Sequence, residues 1–185
     1  RKEVEDNLPY RNISAEHTEA DDVIAVVAKT FCRTEKILII SSDKDFQQLQ
    51  QYENIKQYSP TKKDFIDCPD PKNYLLEHVL RGDSSDGIPN ILSDDDCFIE
   101  ENKKQKPLTK KKLAEYKENL ISEEDPNYRN WTRNKTLVDF NEIPLDIQEK
   151  ILNNFNDSSY GDRSKILNYF VNKKLVRLVS NLEDF

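Results

Sequence analysis

Residues 36–46 read KILIISSDKDF. Ile37 to Ile40 are four aliphatic residues in unbroken succession, bounded by Lys36 on one side and Ser41 and Ser42 on the other. A short continuous apolar run predicts a parallel strand over 36–41, buried on both faces, because a half-solvated strand would alternate polar and apolar residues. The following DKDFQQLQQY reads as a helix, and NIKQYS (54–59) as a second short strand. Strand, helix, strand in that order indicates an α/β sheet. Ligands of open α/β sheets bind beyond the carboxyl ends of the strands. Asp43 and Asp45 stand in that location, directly after the predicted strand.

Two further acidic knots lie on either side. Upstream is TEADD (18–22). Thr18 is a good N-cap for a helix running to about Phe31, with Asp21 three residues on as its capping-box partner. Ile24, Val27, Ala28 and Phe31 recur at helical spacing and are expected to face a core. Before that helix, residues 1–17 read as the end of a helix and a short extended piece, YRNIS. Downstream, Pro69 and Pro71 break the chain, and a helical pattern follows, with helices expected near 73–80, 109–119, 144–154 and 163–180. The third knot, RGDSSDGIPN (81–90), sits in the first loop of that region, and SDDDCF and SEEDPNYRN read as charged loops. The expected organisation is therefore an α/β portion over 1–68 and a helical portion over 69–185.

Composition sets limits on the function. The chain of 185 residues carries a formal net charge of −7, with 34% charged and 36% hydrophobic residues, so it folds with a heavily solvated surface. Its three cysteines, Cys32, Cys68 and Cys97, are widely spaced and lack a CxxC pair, which favours reduced thiols in an intracellular protein over a disulfide frame or a zinc site. No apolar run approaches a membrane span. Only three glycines are present, which excludes a glycine-rich phosphate loop. Methionine is absent, even at position 1, and the chain opens on a polar segment, so it is expected to be a fragment of a longer protein. The acidic total hides segregation: ENKKQKPLTKKKLAEYK (101–117) holds seven lysines against two glutamates. An acidic protein can still bind nucleic acid when cations neutralise its carboxylates.

Taken singly, each knot has a structural reading. Carboxylates in a first helical turn serve the helix dipole, Asp43 can cap the next helix, and the Asp-Gly pair can make a turn. Together, Glu19, Asp21, Asp22, Asp43, Asp45, Asp83 and Asp86 form a set of another kind. If the three knots converge, so many carboxylates stay ionised only with divalent cations among them. Oxygen donors without His or Cys favour Mg²⁺ or Mn²⁺ over zinc. Two such ions about 4 Å apart suit in-line hydrolysis of a phosphodiester. His17 and His78 have no matched nucleophile or metal partner in the sequence, and no Ser-His-Asp order supports covalent catalysis. Trp131 and Tyr128 are expected to pack beneath a loop.

The ordered set TEADDVIAVV, ILIISSDKDFQQL and LRGDSSDGIPN closely resembles the 5′-nuclease superfamily of flap endonucleases, polymerase-associated 5′-to-3′ exonucleases and phage 5′-nucleases. The likeness is greatest to the phage ribonuclease H type and extends over NIKQYSP, YKENL, VDFNEIP and SKILNYFVNKKL. It implies a PIN-like parallel-sheet nuclease domain, N-terminally incomplete here, followed by a helical DNA-binding region. It also implies two Mg²⁺ ions, with Mn²⁺ as a substitute. Glu19, Asp21 and Asp43 match ligands near the nucleophile-bearing ion and the catalytic centre. Asp45, Asp83 and Asp86 match ligands of the second ion, and Asp22 lies beside the motif in a supporting place. The expected activity is hydrolysis at 5′ ends or flaps of DNA or RNA–DNA duplexes, as in primer removal, by a phage-encoded protein in the bacterial cytoplasm. A replication clamp or single-strand-binding protein is an expected partner, and a membrane is not.

Two departures from the family pattern matter. The upstream strand and aspartates of the family are not in this chain, so the chain alone is expected to be weak or inactive. After GDSSDGIPN the glycine-rich turn of cellular members is replaced by ILSDDDCF, whose Asp94, Asp95 and Asp96 are expected to repel phosphate. Lys103, Lys104, Lys106, Lys110, Lys111 and Lys112 are the expected duplex contacts in its place. The run could equally be a solvated loop. Two other functions fit the fold: a branched-DNA-binding module without catalysis, and a PIN-type ribonuclease.

Overall fold

A computed structural model describes residues 2–119 and 121–185. Arg1, which opens the expected 1–68 portion, and Leu120, which closes YKENL, lie outside the described residues. In chain order the elements are α1 (Lys2–Asn7), α2 (Ala20–Phe31), β1 (Ile37–Ile40), a 3₁₀ turn (Asp45–Gln51), β2 (Ile55–Ser59) and β3 (Asp64–Ile66). Then follow α3 (Pro71–Arg81), α4 (Lys110–Glu118), α5 (Tyr128–Val138), α6 (Leu145–Asp157), α7 (Ile166–Asn172) and α8 (Val176–Val179). They form two compact units, one of residues 24–145 and one of residues 1–23 with 146–185. Among the described residues no helix is long and apolar enough to cross a membrane.

In the unit of residues 24–145, β1 and β2 pair in parallel, Ile37 opposite Ile55 and Ile40 opposite Tyr58. The hairpin strand β3 adds antiparallel to β2. One face of the sheet is buried through Ile39, Ile55, Gln57 and Ser59. The other leaves Leu38 51%, Ile40 67% and Phe65 59% exposed. The strand at 36–41 is thus parallel as expected but buried on one face only, since an apolar run cannot tell a covered face from one left open. β3 escaped the sequence reading because three residues are too few to show alternation.

The sheet packs on the 3₁₀ turn, where DKDFQQLQQY was expected to form an α-helix. Phe46 and Leu49 are buried, and Phe46 meets Phe140 at 5.8 Å between ring centroids. Gln48, also buried, braces the segment after α5: its amide donates to Val138 O at 2.9 Å and its Oε1 accepts from Phe140 N at 3.0 Å. α3 begins at Pro71 instead of ending a broken stretch there. Asp70 caps it, accepting from Asn73 N at 3.1 Å, and proline is favoured in a first helical turn. Leu80, Ile91 and Leu113 form a buried cluster with Trp131 packed against it. Trp131 is therefore a packing residue, as expected, though it does so from a helix, α5, where the sequence suggested a loop.

In the other unit, Ile151, Ile166 and Phe170 are buried, and Phe170 meets Phe185 edge-on at 5.1 Å. Arg11 lies over Phe155 and Tyr160 at 4.8 and 4.6 Å. The single helix expected over 163–180 is broken. Lys174 adopts φ 56°, Leu175 N donates to Phe170 O at 2.9 Å and Lys174 N to Val171 O at 3.0 Å. These two bonds with a left-handed residue between them end α7 in a Schellman motif.

Candidate metal centre

β1 hands the chain to a loop that is locked from both sides. Ser41 Oγ accepts from Asp43 N at 3.1 Å, and Asp43 Oδ1 accepts from Asp45 N at 3.0 Å. Asp43 therefore makes an Asx turn ahead of the 3₁₀ turn, whose N-cap is Lys44, while its carboxylate stays exposed. From β2, the buried Gln57 donates to Ser41 O at 3.0 Å and to Asp43 O at 2.5 Å, and Ser59 Oγ meets Ser42 Oγ at 2.8 Å. The serines after β1 are thus the fastening of the acidic loop onto the neighbouring strand.

The RGDSSDGIPN loop brings a second set of carboxylates to the same place. Gly82 closes α3 at φ 65°, where a Cβ would lie 2.4 Å from Ile88 O and 2.5 Å from Pro89 O. Only glycine fits there. Asp83, bridged to Ile88 by its backbone, is buried at 3% exposure. Its Oδ1 accepts from Ser85 N at 2.9 Å and from the Ser85 hydroxyl, and its Oδ2 accepts from Lys44 Nζ at 2.7 Å. α5 clamps the far end of the loop. Buried Asn134 donates to Val79 O and Pro89 O at 2.8 Å, and Asn130 donates to Ile91 O and Ser93 O.

Charge is shared across this cluster. Burial drives the Asp45 carboxyl up to about 6, His78 pulls it back, and Asp43 and Asp83 push it further up. Burial also raises Asp83, but hydrogen bonds from Lys44 and Ser85 outweigh it and hold the group well below the ordinary carboxylate range. Lys44 is correspondingly raised, first by its bond to Asp83 and then by the fields of Asp45 and Asp86. Within the unit of residues 24–145, Asp83 thus binds the Lys44 ammonium, Asp45 and Asp86 act on it through their fields, and Asp43 acts on Asp45.

No partner for His78 was legible in the sequence, and the structure sets it among the carboxylates. Its ring is buried on α3 between two of the aspartates, with Nδ1 3.4 Å from Asp45 Oδ1 and Nε2 3.3 Å from Asp83 Oδ2. Asp45, His78 and Asp83 each bring one donor atom within 4.8 Å of the others. Two buried atoms, Asp45 Oδ1 and His78 Nδ1, make no hydrogen bond. A buried carboxylate oxygen and a ring nitrogen left without hydrogen bonds, where the Lys44 ammonium already answers the carboxylate charge, fit a cation. A ring nitrogen thus lies among the oxygen atoms that the sequence offered. A cavity of about 610 Å³ lined by Lys44, Gln47, Tyr74 and His78 opens beside it. Lys44 and His78 were missed by sequence reasoning. The only signals were the lysine between Asp43 and Asp45 and a histidine five residues before Asp83.

Glu19, Asp21 and Asp22 occupy the other unit, at the first turn of α2. The cap there is shifted by one residue: Glu19 N donates to Asp22 Oδ2 at 3.0 Å, and Thr18 Oγ1 donates instead to Ala15 O at 2.7 Å. Asp22, not Asp21, is the capping-box carboxylate. The core face of α2 also turns, with Val23, Ala25, Val26 and Ala28 buried and Ile24, Val27 and Phe31 only half-buried.

Asp94, Asp95 and Asp96 are neutralised and so do not stand as free repellers of phosphate. Asp94 pairs with Lys106 at 3.4 Å, Asp96 with Lys103, and Asp95 with Arg129 and Arg133. Lys104, Lys110, Lys111 and Lys112 are exposed, the last three forming the first turn of α4.

A family model described as the C-terminal part of T4 RNase H matches residues 70–185. A second, described as the N-terminal resolvase-like domain of 5′-3′ exonuclease, matches residues 2–75. The ribonuclease H of Enterobacteria phage T4 is 33% identical over 189 residues, covering 96% of this chain and 61% of its own length. The chain thus spans about three-fifths of that relative. Among solved structures, a T5 5′-exonuclease mutant gives a TM-score of 0.53 at 17% identity, covering 77% of this chain and 67% of its own. A T5 protein co-crystallised with metal ions gives 0.52 at 16%, covering 78% and 61%. At such identities these two establish the likeness of fold alone.

Proposed function

Since the chain belongs to the 5′-nuclease superfamily, in the family of phage ribonuclease H, we propose that it is the greater part of a metal-dependent 5′-to-3′ nuclease acting at 5′ ends or flaps of DNA or RNA–DNA duplexes. Such an activity would serve primer removal during phage replication in a bacterial host. The observation that carries the reading is the gathering of Asp45, Asp83 and Asp86 about Lys44, with Asp43 against Asp45, beyond the carboxyl end of β1. That a protein of like fold was co-crystallised with metal ions is consistent with metal dependence.

In this reading Asp45, Asp83 and Asp86 hold one divalent ion. Asp43 belongs to the other, and Glu19 and Asp21 are proposed as metal ligands on the family resemblance alone. Mg²⁺ supplies a lowered pKa for the attacking water and stabilises charge on the phosphate. Gln57 and Ser41 keep Asp43 aimed outward, and Lys44 keeps Asp83 ionised. Lysines in the first turn of α4 oppose the helix dipole and gain nothing for the helix. Their presence there fits phosphate contact, and Lys104, exposed in the preceding loop, is proposed to add to it, while Lys103 and Lys106 are held by their aspartates. A clamp or single-strand-binding protein is a proposed partner.

The test is cleavage of a 5′-labelled flapped duplex by the full-length protein, with Mg²⁺, Mn²⁺ or EDTA. Cutting that needs a divalent ion supports the reading. Metal-independent binding with no cutting in any condition would make the protein a branched-DNA-binding module instead.

A further inference from the structure

The segment RSKILNYFVNKKLVRLVS (163–180) holds five cations and no carboxylate, in a chain whose net charge is −7. Ile166 and Phe170, four residues apart on α7, are buried and hold the helix on its unit. Leu167 and Val171 repeat that spacing one residue on and so share the adjoining face, where they stay 44% and 58% exposed. The turn at Lys174 then sets α8 against α7. There Val176 is 76% exposed, with Leu175 and Leu178 exposed on either side of it. Single exposed aliphatic residues are ordinary, whereas five on two packed helices make a patch. A cavity of about 260 Å³, lined by Arg163, Ile166, Leu167, Leu182 and Glu183, opens beside Leu167 and offers an apolar side chain a seat.

The cations around these side chains keep most of their charge. Lys173 pairs with Glu3. Arg163 and Lys165 donate to backbone oxygens, Glu183 O at 3.2 Å and Asp6 O at 3.3 Å, which cancels no charge. Lys174 and Arg177 are exposed, and neither side chain has a carboxylate partner among the described residues. We propose that α7 and α8 form a docking surface for an acidic, amphipathic segment of a partner protein. Its apolar side chains cover Leu167, Val171 and Val176, and its carboxylates meet Arg163, Lys165, Lys174 and Arg177. Charge complementarity selects this occupant. A nucleic acid would meet the cations but offers the aliphatic side chains no cover. The rings on which its bases could stack, Tyr169 and Phe170, are half-buried and buried. The surface lies in the unit of residues 1–23 and 146–185 and uses no residue of the unit that carries Asp43, Asp45 and Asp83.

The test is fluorescence anisotropy of a labelled synthetic peptide titrated with the full-length protein. The peptide is a helix of about four turns with leucines at helical spacing and glutamates elsewhere. Saturable binding is expected, weakened about tenfold or more by the double substitution Val171→Ser with Val176→Ser, and likewise by Lys174→Glu with Arg177→Glu. All four side chains are exposed, so the fold survives either pair, and each pair reports one half of the recognition. A peptide with serine in place of leucine keeps the charge and is expected to bind about tenfold more weakly. Binding to a flapped duplex is expected to stay unchanged in both variants. No binding of the acidic peptide, or binding that either pair leaves unaltered, overturns the inference. Weakened binding of the duplex, or of vesicles of anionic lipid, in Lys174→Glu with Arg177→Glu also overturns it, and makes the surface a nucleic-acid or lipid contact. Metal-dependent cleavage is measured separately on the same variants, so failure of the nuclease reading is distinguishable from failure of this one.

Discussion

Asp43 shows how one residue serves structure and chemistry together. It closes an Asx turn through Oδ1 at the entrance to the 3₁₀ turn and still presents an exposed carboxylate beyond β1. In Asp43→Asn the amide oxygen can still accept from Asp45 N, so the loop survives while the charge is lost. Cleavage by the full-length protein is expected to fall by more than the roughly 100-fold that a lost supporting group costs, with the melting temperature little changed. Near-normal turnover would remove Asp43 from the centre. Gly82 makes the opposite case, since its role is wholly steric. A methyl at φ 65° meets two backbone oxygens that the loop cannot move without displacing Asp83. Gly82→Ala is expected to cost about 2–5 kcal/mol, read by urea denaturation, from left-handed strain and overpacking together. An unchanged midpoint would show that the loop is softer than its contacts imply.

Elements in this chain begin and end by chemistry the residues carry close at hand. α7 stops where Lys174 takes a left-handed conformation that suits glycine. Lys174 is exposed, so Lys174→Gly relieves strain while leaving the packing intact. The relief of about 1–2 kcal/mol less the unfolded-state entropy of glycine gives a net gain of about 1 kcal/mol by thermal melting. A drop in melting temperature would refute it. The loop at 94–96 is held to α5 by Asp95 between Arg129 and Arg133, whose hydrogen bonds lower its carboxyl to about 2 from the ordinary 3.8. A depressed folded-state value means the stabilisation is complete above pH 3.8 and fades as pH falls toward 2. The pair is half exposed, so its worth is no more than about 1 kcal/mol. Wild type and Asp95→Asn are expected to differ by that much at neutral pH and to converge below about pH 2. A gap that persists in acid would mean that the contact is not electrostatic.

At the scale of the whole molecule, an acidic chain that binds nucleic acid must do so through segregated charge. Lys110, Lys111 and Lys112 are exposed at the start of α4, whereas Lys103 and Lys106 spend part of their charge on Asp96 and Asp94. Replacing the first three with alanine is expected to lower the slope of log affinity against log salt by about 2.7, at about 0.9 for each phosphate no longer neutralised. An unchanged slope would make the run a solvated face. Because log affinity is fitted over a salt series, this separates weaker phosphate pairing from a general loss of fold.

Much of the fold was legible from local patterning. The parallel pairing of β1, the strand after it, α3 and α6 each follow from a run of residues whose own chemistry decides their conformation. The acidic knots were legible for the same reason, because three clusters of one residue type in fixed order are visible without coordinates. What needed the tertiary structure is whatever depends on partners distant in sequence. α5 reads as a charged loop because Asn130, Arg133 and Asn134 look solvated until they are seen clamping residues 79–93. His78 looks idle until α3 sets its ring between a carboxylate that follows β1 and one that follows α3 itself. The sequence alone determined that Asp43 and Asp45 follow a parallel strand, since that is a matter of local order, and the packing of α3 brought Asp83 and Asp86 to them. The tertiary structure decided that the gathering includes a histidine and a lysine, since burial and facing orientation arise only when separate segments are packed together.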